Sequence, residues 1–351
     1  GVTGNSELTI TANDITLAGT VNASLSSGSG TITLTGANSI NIGTGTARAE
    51  ILSTSGGSLA MDAPTITIGG TNAGTGIWID GAVVIGNAGT TNTVTVADGV
   101  FGIQGRTGVT ITANDTVDIY EIVRSTEGDV VITTISNLIN GDITLEDGSS
   151  VTGKNVTLSA VNDVIILGDQ NNTIGTYTFT AGNQIQLGAD VEALLGITFA
   201  SPTLLTADSA VKSNQGSVEF VDDVSGAYVL TIQANNGNAI IASAGAGTDL
   251  TGLTVEAEDI TLGNGEVSGD ITLTAANNVN VNGDLASTST TGTIDVTATG
   301  NINIAQTSNA SLTAIDGDIT LEAANIYLGD NADTYAGLIE TTGTGNIKLY
   351  V

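Results

Sequence analysis

Two groups of acids are the residues whose types and spacing could first do chemistry: Asp222-Asp223, and Glu256 with Glu258 and Asp259. Glycoside hydrolysis needs two carboxylates about 5 to 9.5 Å apart across a groove. Asp222 and Asp223 are chain neighbours, so on an extended backbone their side chains diverge. Acids are scattered through the whole sequence, and solvated surface explains both groups better than catalysis. A lyase would also need a base. Arg124, near Glu121, Glu127 and Asp129, has acidic company, which a surface ion pair explains. The chain is therefore expected not to be an enzyme.

Oxygen ligands are the second candidate chemistry. Gly168-Asp169-Gln170-Asn171-Asn172 and Gly329-Asp330-Asn331-Ala332-Asp333 each follow a strand-like run in matching positions. Asp169, Asn171, Asp330 and Asp333 are the candidate ligands for Ca2+. Neither stretch is an EF-hand loop, and no cofactor is required by the sequence. Diffuse binding of divalent cations is expected rather than a cage.

A threonine ladder is the third. With strands aligned on their repeats, the outward first-strand position holds Thr9, Thr33, Thr95, Thr110, Thr157, Thr178, Thr198, Thr231, Thr254, Thr272 and Thr320. A second Thr follows two residues later at Thr11, Thr35, Thr112, Thr180 and Thr274. Thr-x-Thr on a flat β-face is similar to the surface of ice-binding solenoids. Glu219, Asp295 and Lys348 interrupt it, and Thr is simply a favourable exposed strand residue.

Composition removes whole classes of activity. There is no Cys and no His, which excludes disulfides, thiolate chemistry, imidazole metal sites and Ser-His-Asp triads. The net charge is −30 with six basic residues, Arg48, Arg106, Arg124, Lys154, Lys212 and Lys348. A phosphate backbone needs clustered Lys and Arg, so nucleic acid is a poor partner, and anionic lipid equally so. No apolar run approaches the ~18 residues of a membrane span. Asn-x-Ser/Thr sequons begin at Asn22, Asn114, Asn155, Asn171 and Asn309, as chance provides in a chain this rich in those residues.

What would position these groups is a repeat. In Gly269 to Gly283, GDITLTAANNVNVNG, Ile271 and Leu273 alternate with Thr272, then Ala275 and a polar corner lead to Val279 and Val281 around Asn280. Period-two alternation places the aliphatic residues on one face. The unit recurs, for example at Leu8/Ile10/Ala12/Ile15/Leu17, Val156/Leu158/Ala160/Val164/Ile166 and Ile319/Leu321/Ala323/Ile326/Leu328. A third short apolar piece often follows, at Leu25, Ile51-Leu52, Ile143 with Leu145, Leu285, Leu312 and Leu338-Ile339. Recurrence about every 20 to 28 residues implies an all-β solenoid of about 15 coils, in which each coil covers its neighbours. Three strands per coil imply a roughly triangular parallel β-helix, a single continuous domain over residues 1–351. Asn, Asp or Gly follows the corner Ala, which predicts left-handed backbone there, and Asn-Gly at Asn140, Asn236, Asn264 and Asn282 predicts tight turns. The pattern blurs over 70–105, where the only Trp (Trp78) lies, and over 216–247; both are expected to be coils with displaced loops.

GDITLTAANNVNVNG, GTIDVTATGNINIA and GDITLEAANIYLG resemble the G-x-I-x-L-x-A-x-N-x-I-x-L units of filamentous-haemagglutinin-type adhesins, secreted bacterial β-solenoid exoproteins. The resemblance implies a right-handed parallel β-helix, an extracellular or cell-surface location, and attachment to cell-surface or matrix components. The expected function is thus a structural or adhesive rod, with a carbohydrate-binding or carbohydrate-processing β-helix as the alternative; the 3% aromatic content argues against the latter. Gly1 is not an initiator Met, so the sequence reads as a processed product or an excised segment. It enters strand alternation by Leu8 and Ile10 and finishes in it at Ile347, Leu349 and Val351. Those five residues are the candidate interface if coils of successive subunits pair end to end.

Overall fold

The computed structural model describes residues 2–4, 7–17, 21–44, 47–69, 75–98, 101–136, 141–330, 332 and 334–351. Among the described residues all regular structure is β-strand, stacked in parallel as a right-handed β-solenoid of about 14 turns. The right hand is the one that twisted parallel strands and their crossovers favour. The chain packs as two compact units, Gly1–Gln184 and Ile185–Val351.

In the first unit each coil contributes a strand to three columns. Ala49–Ser53, Gly76–Ile79, Ile103–Gly105, Ile122–Ser125 and Ser150–Thr152 lie in a seven-stranded sheet. A second column runs through Leu59–Asp62, Ala82–Ile85, Gly108–Ala113, Asp129–Thr134, Asn155–Ala160 and Thr176–Ala181. A third runs through Thr65–Ile68, Thr93–Val96, Thr116–Ile119, Asp142–Leu145 and Val164–Ile166. The pairing is residue on residue, so Ile51, Ile77, Ile103, Val123 and Val151 form one inward aliphatic file, all fully buried. Ile143 and Leu145 belong to the third column, not to a short extra piece, and Asp129–Thr134 is the first strand of a coil that the repeat had hidden.

The second unit is built alike. Ile271, Leu273, Val279 and Val281 are fully buried and sit over Ile294, Val296, Ile302 and Ile304 of the next coil, as the repeat predicts. The blurred 216–247 stretch resolves into strands that bend around a corner without breaking. Val218–Ser225 pairs with Ala239–Ala244 on both sides of a register shift between Phe220 and Asp223. Inside, the Phe199 and Phe220 rings stack at 4.5 Å and 4°.

The corners are made differently from expectation. Among the described residues Ala305 alone has positive φ without being glycine, so corner Asn and Asp are not there to supply left-handed backbone. They reach along the stack instead. The Asp259 carboxylate accepts the Asn278 backbone N–H (3.0 Å) and its side-chain amide (2.9 Å). The Asn278 side-chain oxygen Oδ1 accepts the Asn301 N–H (3.0 Å), and the Asn301 Oδ1 in turn accepts the Asn325 side-chain amide (3.0 Å). Asp129, Asp142, Asp163 and Asp318 hold the corner of the following coil in the same manner. Of the Asn-Gly pairs, Asn236-Gly237 turns and Asn282-Gly283 follows the strand Val279–Val281, whereas Asn264-Gly265 lies inside the strand Ile260–Val267; Asn140 falls outside the described residues.

Candidate functional site

The seven-stranded sheet of the first unit turns its second set of side chains to solvent. Strict register puts Leu52, Trp78, Gln104, Arg124 and Thr152 in one outward file, one residue per coil. Trp78 lies in the stretch where the repeat blurs, and it is the only Trp of the chain. Its indole does not stand up from the sheet. It folds back over Gly76, where an added Cβ would lie 2.5 Å from the indole Cη2. Gly76 has no positive φ, so the glycine serves room for the ring and not the backbone. The result is a half-buried aromatic plate lying against the strand surface. Phe101, 60% exposed, leans on it with ring centroids 6.0 Å apart and planes at 46°.

Polar planar groups surround this plate. The Arg124 guanidinium donates to the Gln104 Oε1. Arg106, just after Ile103–Gly105, bridges Asp80 (2.8 Å) and Glu127 (2.9 Å). The guanidinium, with help from the Gly56 N–H, holds the Asp80 carboxyl below the ordinary carboxylate range; Asp80 and Glu127 in turn raise Arg106. Arg48 pairs with Glu50 on an earlier strand of the sheet. All three arginines of the chain thus attend one sheet. A hollow of about 180 Å³ is lined by Trp78, Asp80, Gln104, Arg106 and Thr126, and one of about 320 Å³ by Arg124, Thr126, Thr152 and Ile174 among others. They share Thr126. The acidic company of Arg124 in sequence is a poor guide here, since Glu127 goes to Arg106 and Arg124 reaches Gln104.

The candidates from sequence are not brought together. Asp169 and Asn171 are exposed, but their neighbours Gln170 and Asn172 point inward and are buried. The Gln170 amide donates to the Ser149 hydroxyl (3.0 Å) and the Gly168 carbonyl (2.9 Å), while its oxygen accepts the Val151 N–H (3.1 Å). The stretch is a short strand, Gln170–Asn172, with amides in core slots. Asp330 accepts the N–H groups of Thr334 (2.7 Å) and Tyr335 (3.0 Å), closing a turn; those bonds, that of Tyr335 foremost, lower its carboxyl. Asp333 lies outside the described residues. Among the described residues no three acids gather as a metal would require. Asp223 and Asp259 are corner acceptors, for Ala246 and Asn278. Leu8 and Ile10 are half-buried, Ile347 and Leu349 are exposed on the strand that pairs with Ile319–Glu322, and Val351 is exposed just beyond it.

The threonine ladder is also divided. Thr95 pairs with Thr67 and Asp118 in one column while Thr110 pairs with Val84 and Val131 in another. Thr198 pairs with Glu219, whereas Thr231, Thr254 and Thr272 form a separate file that Asp295 interrupts before Thr320. One acid did escape the sequence reading. Asp118 faces outward beside Glu146 and Asp142; burial, then the Glu146 charge, pushes its carboxyl up, and burial with Glu146 also raises the nearby Tyr120 phenol. The signal was the one Asp in a file of Thr.

Comparison with protein-family models, with curated proteins and with solved structures finds no match for this chain. Among the described residues no helix is long and apolar enough to cross a membrane.

Proposed function

We propose that the chain is an extracellular structural and adhesive β-solenoid, whose stacked coils present a surface to cell-surface or matrix components. The observation that supports this reading is the outward file of the seven-stranded sheet: an indole, an amide and a guanidinium held in register by backbone pairing on successive coils. Groups fixed on paired strands lose little freedom on contact, so even modest contacts yield net attachment. The resemblance of the repeats to those of secreted adhesins points the same way. The −30 charge would draw divalent cations as diffuse counter-ions. A carbohydrate-binding role is favoured by one specific observation, the half-buried Trp78 ring beside planar polar groups.

Adhesion is tested with beads coated with the 351-residue chain, passed under flow over epithelial monolayers and over surfaces of extracellular-matrix protein. Retention several-fold above albumin-coated beads on at least one surface is expected. Retention equal to albumin on all of them overturns the reading.

A further inference from the structure

We infer that the Trp78 sheet binds an uncharged glycan, one pyranose ring stacking on the indole while its hydroxyls bond to Gln104 and Arg124. The inference rests on the adhesive reading and names what the surface attaches to.

Three observations carry it. The first is the seat of the ring. Trp78 lies flat because Gly76 leaves room beneath it, and Phe101 from the next coil sets a second ring at 46° to the first. Tyr177, Phe179, Phe199 and Phe220 are buried in the core, whereas Trp78 and Phe101 lie at the surface and, unlike the exposed Tyr228 and Tyr350, lean on one another. A pyranose has an apolar C–H face about the size of an indole, and stacking it there removes apolar area from water on both partners. The second is the polar fringe. Gln104 sits one coil from Trp78 in direct register and Arg124 one coil further. Amide and guanidinium groups are planar donors, with the amide also an acceptor, which is what equatorial hydroxyls require. Repeating this along successive coils suits an extended chain of sugars rather than one small ligand.

The third is charge. Of the sheet's three guanidinium groups, Arg48 pairs with Glu50, Arg106 bridges Asp80 and Glu127, and Arg124 reaches the neutral Gln104, so these three cations and three carboxylates sum to zero. This patch is electrically balanced within a chain of net charge −30. A polyanionic glycan approaching it would meet the repulsion of the rest of the surface, and a polycation would find better sites elsewhere. An uncharged glycan suffers neither.

The single Trp makes the test direct, because fluorescence excited at the red edge, where the six tyrosines do not absorb, reports Trp78 alone. The chain is titrated with cellohexaose, chitohexaose and mannohexaose, and with a heparin hexasaccharide as the charged comparison. A saturable change in emission with at least one uncharged hexasaccharide is expected. Calorimetric titration should then show binding weakened tenfold or more in Trp78→Ala, less in Trp78→Phe, and unchanged in Tyr228→Ala, which alters an exposed ring of the other unit. Circular dichroism and melting verify that each variant folds, and the Phe variant serves if the Ala variant does not. No response to any uncharged hexasaccharide at millimolar concentration, binding of heparin alone, or undiminished binding by folded Trp78 variants each overturns the inference. If coated beads adhere equally with and without Trp78, the adhesive reading stands and the glycan site falls. If glycans bind but the beads do not adhere, the adhesive reading falls instead.

Discussion

Replacing Asp259 separates two explanations of why this chain is so acidic. The Asp259 carboxylate accepts two hydrogen bonds from Asn278 of the next coil, at 3.0 and 2.9 Å. Hydrogen bonds to an ionised acceptor contribute about 1.5–3 kcal/mol each when desolvated. Asp259 and Asn278 are only half-buried, so water recovers part of that on mutation. A cap of comparable exposure at a helix end contributes about 0.5–2 kcal/mol. Asp259→Ala should therefore cost about 1–2 kcal/mol in urea unfolding. Asp259→Asn keeps a neutral oxygen acceptor and should lose about half as much. Glu258→Ala supplies the control. It removes the same charge one residue away, from an exposed side chain, and should lie within about 0.5 kcal/mol of the parent. In a solenoid the loss falls on the interface between neighbouring coils, so hydrogen exchange should quicken first at Asn278 and its strand. If Asp259→Ala is as silent as Glu258→Ala, the corner acids are merely solvated charge and the capping account is wrong.

Leu273 is fully buried between Val255 and Val296, and Leu273→Ala should cost about 2–5 kcal/mol by urea unfolding, from lost transfer energy and the cavity left behind. Asp118→Asn should raise the melting temperature at neutral pH, because the native state holds that carboxyl above its ordinary value and its charge is unfavourable there. The folded form binds this proton more tightly, so the gain should shrink as pH falls through the raised value toward 3.8, and a melting curve unchanged at pH 7 would refute an unfavourable charge at Asp118. Asp318 behaves oppositely. Lys348 and then Asn346 lower it from 3.8 to about 2, so its contribution is present above pH 3.8 and lost as pH falls toward 2; Lys348→Met should flatten acid unfolding in that window. Because Asp330 is already occupied by two backbone N–H groups, Asp330→Asn should leave the shift of melting temperature with millimolar calcium unchanged, and a diminished shift would restore a specific site there.

The two kinds of information in the sequence failed and succeeded for separate reasons. Inward positions are mostly aliphatic or small, with a few rings and hydrogen-bonded amides such as Phe199 and Gln170, because each is covered by its counterpart one coil away. That constraint writes a period-two pattern, and Ile271, Leu273, Val279 and Val281 could be assigned to the core from it. Which sheet a strand joins is not written so, since every face of a coil accepts the same alternation. For this reason Asp129–Thr134 does not stand out as a coil's first strand, and Thr95 aligns in sequence with Thr110 although their strands lie in different columns. The corner residues stand out in the sequence but their role does not: Asn and Asp can serve a left-handed turn or an acceptor, and only the coil that follows decides which. The Trp78 surface was least legible. Its parts, Gly76, Trp78, Phe101, Gln104 and Arg124, come from three successive coils and span irregular sequence, so no local motif unites them. Its one trace in the sequence was the break in the repeat itself. A solenoid coil is freest to depart from its consensus outside the core, and a single indole placed where the aliphatic rhythm falters is better evidence of a surface with work to do than any of the acids, which the corners of the fold already employ.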